Sequence, residues 1–210
     1  PGTEEFDLFV REVVREITTK AGQKCTAIRR AIVPGAHVDA VVAALKDKLA
    51  KNTTGDPAVE GTRMGPLASL EQREEVRDRI KDLQGSARIV LGDPDEVRVA
   101  SGDAEKGAFI NPVVLLADNP LNAAANDVEA FGPVVTLMPY DSIDDAVALT
   151  HRGKGSLVAS VFTDSPEVAQ EMVLGMAPMH GRVLIGNRRS AKSSTGPGSP
   201  LPPSVHGGPG

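Results

Sequence analysis

Along the 210 residues, apolar side chains switch repeatedly between a helical and a strand period, and that switching confines the chain to a layered α/β architecture. Over 4–20, Phe6, Phe9, Val10, Val13, Val14 and Ile17 recur at helical spacing with Arg11, Glu12, Arg15 and Glu16 between them, which predicts an amphipathic helix ended by Gly22. Further helices are expected over 37–49, 69–84, 142–151 and 166–174; Ser69 and Gln72 have capping-box spacing, and Pro166 takes the favoured first turn. Short aliphatic runs predict strands over 27–33, 87–91, 109–116, 134–140, 157–162 and 182–185. Pro112 lacks a ladder donor and so assigns the 109–116 strand to an edge or a bulge. Strands and helices alternating at this interval argue a mostly parallel sheet flanked by helices. The segments 52–67 and 92–107 are polar and glycine-containing and read as loops. Residues 190–210 are rich in Ser, Gly and Pro without any period, which separates an extended tail from a single domain over 1–189.

Several function classes drop out. A net charge of -5 argues against a nucleic-acid surface, which needs a concentrated basic face. No apolar run approaches the roughly 18 residues of a membrane span, and the acidic start Pro1–Asp7 has no secretory pattern, so a cytoplasmic protein is expected. No metal-ligating constellation stands out. A single cysteine excludes an internal disulfide.

A lone cysteine is commonly a small buried hydrophobe. The setting of Cys25 argues otherwise, because a glycine-entered turn between a helix and a strand holds a side chain where substrate can reach it. Lys24, Arg29 and Arg30 would favour the thiolate if they point at the sulfur. A thiolate there can add to a carbonyl carbon, with its own backbone N–H as a donor to the oxyanion. Residue types alone leave Cys-protease, thiol-redox and esterase chemistry open. The four histidines, His37, His151, His180 and His206, fall in no Cys-protease pattern, and no second cysteine could resolve an oxidised thiol.

Gly22-Gln23-Lys24-Cys25, followed by Ala27 and Arg29, resembles the catalytic cysteine motif of aldehyde dehydrogenases. Glu129-Ala130-Phe131-Gly132-Pro133-Val134 resembles a second element of that family at the expected distance downstream. The segments GDP at 55–57, MGPL at 64–67, SLVASVFT at 156–163 and GRVLIGN at 181–187 are similar to further family elements in the same order, so the resemblance covers nearly the whole chain. More narrowly, GQKCTAIRR, AFGP and the tail resemble the dehydrogenase half of the bifunctional ring-opening family of phenylacetate degradation. Enzymes that oxidise dehydroadipyl-CoA semialdehyde in benzoyl-CoA breakdown carry a similar cysteine segment.

The resemblance implies the aldehyde-dehydrogenase catalytic-domain fold and oxidation of an aldehyde, most specifically a CoA-linked semialdehyde, to the acid. Cys25 would be the nucleophile, forming a thiohemiacetal and then a thioester. Glu129 would hydrogen-bond the nicotinamide ribose of NAD or NADP, and Phe131 would pack near the nicotinamide ring; no metal is implied. The dinucleotide-binding domain, the general-base glutamate and the oxyanion asparagine are expected upstream in a longer parent, homo-oligomeric and fused to a hydratase-type domain. The 210-residue piece would then be inactive alone. The competing expectation is a non-catalytic folding or oligomerisation module.

Overall fold

The computed structural model describes residues 1–192; of the tail expected over 190–210, Ser190–Lys192 form a short 3-10 turn and 193–210 lie outside the described residues. Helix α1 (Glu4–Thr18) leads through a short turn into β1 (Arg30–Pro34), followed by α2 (Val38–Leu49), α3 (Leu70–Gln84), β2 (Ala87–Leu91), β3 (Val113–Ala117) and β4 (Val134–Tyr140). Then come α4 (Ile143–Arg152), β5 (Ser156–Phe162), α5 (Pro166–Met176) and β6 (His180–Gly186). The mixed α/β class read from the sequence holds. The strands form two sheets: a four-stranded one in the order β1-β4-β3-β2, and a separate parallel pair of β5 and β6. In the larger sheet β1, β4 and β3 are parallel, and only β2 runs antiparallel, against β3.

The central strand organises the core. All five residues of β3 are buried, as expected for a strand covered on both faces. Val113 and Leu115 pack with Val76, Ile80 and Leu83 of α3, whereas Val114 and Leu116 pack with Val10, Val13 and Ile17 of α1 and Val41 and Leu45 of α2. Each such aliphatic side chain contributes about 1.5–3 kcal/mol by leaving water. The 109–116 segment is therefore not an edge strand, but its pairing with β2 does shift register between Ile89 and Leu91, opposite Leu115 and Val114. Pro112 lies one residue before the strand begins, so its missing N–H is never required by the ladder.

Local chemistry fixes the element ends. Ser142 and Asp145 form a complete capping box at α4. Ser69 accepts from the Gln72 backbone at α3, but the Gln72 side chain turns to Gln23 and Glu75 instead of closing the predicted box. Helix α1 departs furthest from its two-faced pattern: Glu12 and Glu16 are buried at 5% and 0% exposure. The helix lies between the large sheet and the β5–β6 pair, with Phe9 meeting Phe162 edge-on at 5.6 Å, so both of its faces are covered. No helix among the described residues is long and apolar enough to cross a membrane.

In the smaller sheet, His180 Nδ1 lies 2.8 Å from Ser156 Oγ, and its Nε2 is buried with no partner among the described residues. Burial, with smaller contributions from Arg30 and His151, pushes the imidazolium below its ordinary range. The folded chain therefore disfavours the charged ring. An unfolded histidine gains its proton near about pH 6.5, so stability is full above that value and declines as pH falls through it. Thermal unfolding followed from about pH 7.5 to about pH 5.5 is expected to lose midpoint on acidification, and less so for His180→Gln. Equal slopes for the two proteins would refute this assignment.

Candidate active site

The cysteine turn begins where α1 stops. The helix ends at Thr18, four residues before Gly22, and the chain then reverses through three left-handed residues: Lys20 at φ 54°, Ala21 at φ 51° and Gly22 at φ 71°. Left-handed backbone costs a non-glycine residue roughly 1–2 kcal/mol, so this reversal needs tertiary support. Gly22 is more than the helix terminator expected from the sequence. A Cβ added there would stand 2.1 Å from the Gly132 carbonyl oxygen, so the two backbones meet where no side chain fits.

Gln23 fastens the turn to the start of α3. Its Oε1 accepts from the Ala68 backbone N–H at 2.8 Å, and its Nε2 donates to Gln72 Oε1 at 3.1 Å. The backbone N–H of Ala27 closes on the Lys24 carbonyl at 3.1 Å. Cys25 sits within this closed turn and is exposed to solvent, not sealed in apolar packing.

Sheet topology brings the second predicted element alongside. Strand β1 starts five residues after Cys25, and β4 starts directly after the segment 129–133. The two strands are parallel, with Arg30 opposite Thr136. Parallel pairing puts both strand beginnings at one end of the sheet, so segments a hundred positions apart become neighbours.

Arg29 joins them. Its Nη2 donates to the Gly22 carbonyl at 2.6 Å, its Nη1 to the Gly132 carbonyl at 2.7 Å, and its Nε to Glu129 Oε1 at 3.1 Å. The guanidinium carbon also lies 5.0 Å from the centroid of the Phe131 ring, within cation–π range. Burial lowers the Arg29 pKa from its ordinary value, and the Glu129 carboxylate opposes that shift. Glu129 keeps a side chain 58% exposed, and Phe131 stays 37% exposed. An open cleft of about 490 Å³ is lined in part by Lys20, Gln23, Gln72 and Phe131.

The structure thus gathers the segments that hold Cys25, Glu129 and Phe131, but it employs the nearby cations differently from the sequence expectation. Arg29 is engaged in the bridge just described. Arg30 donates to Asn126 Oδ1 at 3.1 Å and to the Leu149 carbonyl at 2.7 Å, and burial lowers its pKa. Lys24 pairs with the buried Glu16 at 2.8 Å. Sequence reasoning missed Arg29 and Gln23 as organisers of the site, because nothing in their spacing names partners so far along the chain. Among the described residues no cluster of His, Cys, Asp and Glu could hold a metal ion.

The close approach of Gly22 and Gly132 can be tested against a glycine of similar dihedral but open surroundings. Gly61 has φ 88°, and a Cβ added there would meet nothing within 4 Å. Gly61→Ala should cost about 1 kcal/mol in urea unfolding, from the dihedral alone, and Gly22→Ala should cost at least about 2 kcal/mol more. Equal losses would show that the contact with Gly132 carries no weight.

The model of the aldehyde dehydrogenase family matches residues 3–197. The chain is 43% identical over 210 residues to 3,4-dehydroadipyl-CoA semialdehyde dehydrogenase of Aromatoleum evansii, covering 100% of this chain and 41% of the relative. It is 42% identical over 149 residues to protein MaoC of Klebsiella aerogenes, covering 70% of this chain and 43% of that protein. The chain thus spans less than half the length of these relatives. Among solved structures, apo betaine aldehyde dehydrogenase of Staphylococcus aureus superposes with a TM-score of 0.77 at 26% identity, over 87% of this chain and 35% of that one. A cysteine-to-alanine variant of aldehyde dehydrogenase C of Pseudomonas syringae, complexed with NAD+ and octanal, also gives 0.77, at 27% identity over 89% of this chain and 37% of that one. With the family model covering nearly all of its described residues, this chain belongs to the aldehyde dehydrogenase family.

Proposed function

We propose that this chain supplies the cysteine-bearing half of an active site that oxidises an aldehyde, with Cys25 as the nucleophile. The observation that carries the reading is the Arg29 bridge, which ties the exposed thiol's turn to Glu129 and Phe131. Attack of the Cys25 thiolate on the aldehyde carbon forms the thiohemiacetal C–S bond, and the backbone N–H of Cys25 is a natural donor to the new oxyanion. A bound nicotinamide dinucleotide supplies the acceptor for the hydride that leaves this adduct, so that a thioester to Cys25 remains for water to cleave.

The residues present fit such a cofactor. With Oε1 held by Arg29, the largely exposed Glu129 has its other oxygen available, among the described residues, to accept from ribose hydroxyls. The half-exposed Phe131 ring forms one wall of the cleft beside the cysteine turn and offers a flat apolar face. NAD and NADP are both compatible with these contacts, since neither residue would touch the adenosine end. We assign residues 1–189 the cysteine-bearing domain, and to the remainder of a longer parent the dinucleotide-binding fold and the base that activates water.

For the substrate we propose a CoA-linked semialdehyde from aromatic ring cleavage, an assignment supported by the 43% identity to a dehydrogenase of that name. Kinship with the bifunctional ring-opening family makes a fused hydratase-type partner domain part of the same proposal.

In a protein that joins this chain to its cofactor domain, Cys25→Ala should abolish aldehyde-dependent formation of reduced cofactor. Glu129→Ala removes a charged acceptor worth about 1.5–3 kcal/mol, so cofactor affinity should fall by about 10- to 100-fold while Cys25 still alkylates. Turnover that survives Cys25→Ala would overturn the nucleophile, and unchanged affinity in Glu129→Ala would overturn the ribose contact. Residues 1–210 alone should not oxidise aldehyde at all.

A further inference from the structure

We propose that Glu16 and Lys24 form a buried latch that fixes how the turn presents Cys25, with Lys24 as a positioning residue for the thiol. The inference rests on reading Cys25 as the reactive group, and it deepens that reading by naming what holds the thiol in place.

The two buried acids of α1 are served very differently. Glu12 has Arg11 on one oxygen at 3.2 Å and Arg15 on the other at 3.4 Å. Glu16 is completely buried, and among the described residues its Oε1 has no partner at all. The cation that reaches it is Lys24, whose Nζ lies 2.8 Å from Oε2 in a close ion pair. A buried carboxylate with a single cation and one bare oxygen is not explained by stability, because an uncharged side chain of the same shape would avoid the desolvation.

Its position suggests a different purpose. Lys24 immediately precedes Cys25, and a lysine on a surface turn ordinarily extends its ammonium into water. Here the Lys24 side chain is drawn inward to 19% exposure, whereas the adjacent Cys25 faces solvent. The strained reversal over Lys20, Ala21 and Gly22 is what returns the chain to within reach of Glu16. Gln23 pins the turn to α3 before Lys24, and Arg29 pins it to Gly132 after Cys25. The ion pair is the anchor adjacent to the thiol itself, and it ties the thiol's orientation to the body of α1.

Cys25 is the sole cysteine, so a chain carrying isotope-labelled cysteine reports on this position alone. The parent chain is expected to give one set of Cys25 Cβ signals. Glu16→Gln, isosteric and nine residues distant in sequence, should split or displace that set and change the rate of alkylation by iodoacetamide. Lys24→Arg, which keeps the cation, should keep a single set. Should Glu16→Gln fail to fold, Lys24→Gln carries the same test through the number of Cys25 signals. A single undisplaced set with an unchanged alkylation rate in Glu16→Gln, or a single set in Lys24→Gln, overturns the latch. These signals report orientation and not chemistry, so a failed latch is distinguishable from a Cys25 that proves inert toward aldehyde.

Discussion

One guanidinium holds the candidate site together. Arg29 reaches the carbonyls of Gly22 and Gly132 and the carboxylate of Glu129 with its three nitrogens, and lays its flat face within 5.0 Å of the Phe131 centroid. A buried guanidinium is costly, which is why its pKa falls, and the arrangement persists because every nitrogen finds an oxygen. Each loop carbonyl also accepts a local backbone N–H, Gly22 from Lys24 at 3.0 Å and Gly132 from Val134 at 2.8 Å, so Arg29 adds a second hydrogen bond to both. The planar fork of arginine suits this three-way task, and a lysine at the same position could not reproduce it.

The bridge in turn depends on the sheet. Strands β1 and β4 run side by side in the same direction, so the turn that feeds one and the loop that feeds the other emerge at a common end. The close approach of Gly22 to Gly132 then follows from the strand spacing, and only a residue without a Cβ tolerates it on the Gly22 side. Helix α3 closes the arrangement through Gln23, which connects the cysteine turn to the first turn of that helix. The strain in the left-handed reversal is borne by these three attachments together with the inward pairing of Lys24, a pattern common where a reactive group must be held in one orientation.

Much of this was legible before any coordinates. The helices over 37–49, 142–151 and 166–174 emerged within a few residues of their predicted bounds because of their apolar spacing, joined in the last two by serine caps. The site segments were legible by family likeness, and they proved to be neighbours. Other expectations failed for identifiable reasons. Pro112 points to an edge or a bulge: the edge fails because the strand begins just after it, whereas the β2–β3 pairing does shift register. Glu12 and Glu16 looked like solvent-facing positions because a helical pattern presumes one buried face, whereas α1 is covered on both. The cations around Cys25 looked like thiolate partners because sequence proximity says nothing of direction, and each is engaged elsewhere.

The sequence by itself determined the layer class, the order of elements, the exposed glycine-entered cysteine turn and the family to which the chain belongs, since these follow from local period, turn chemistry and motif order. Only the tertiary structure decided that the strands divide between two sheets, that Arg29 bridges the cysteine turn and the glutamate loop, and that Glu16 lies buried against Lys24. Those features join residues separated by a hundred positions or more, or by a strained reversal. Their partners are chosen by strand register and helix packing, which no local pattern of residues encodes.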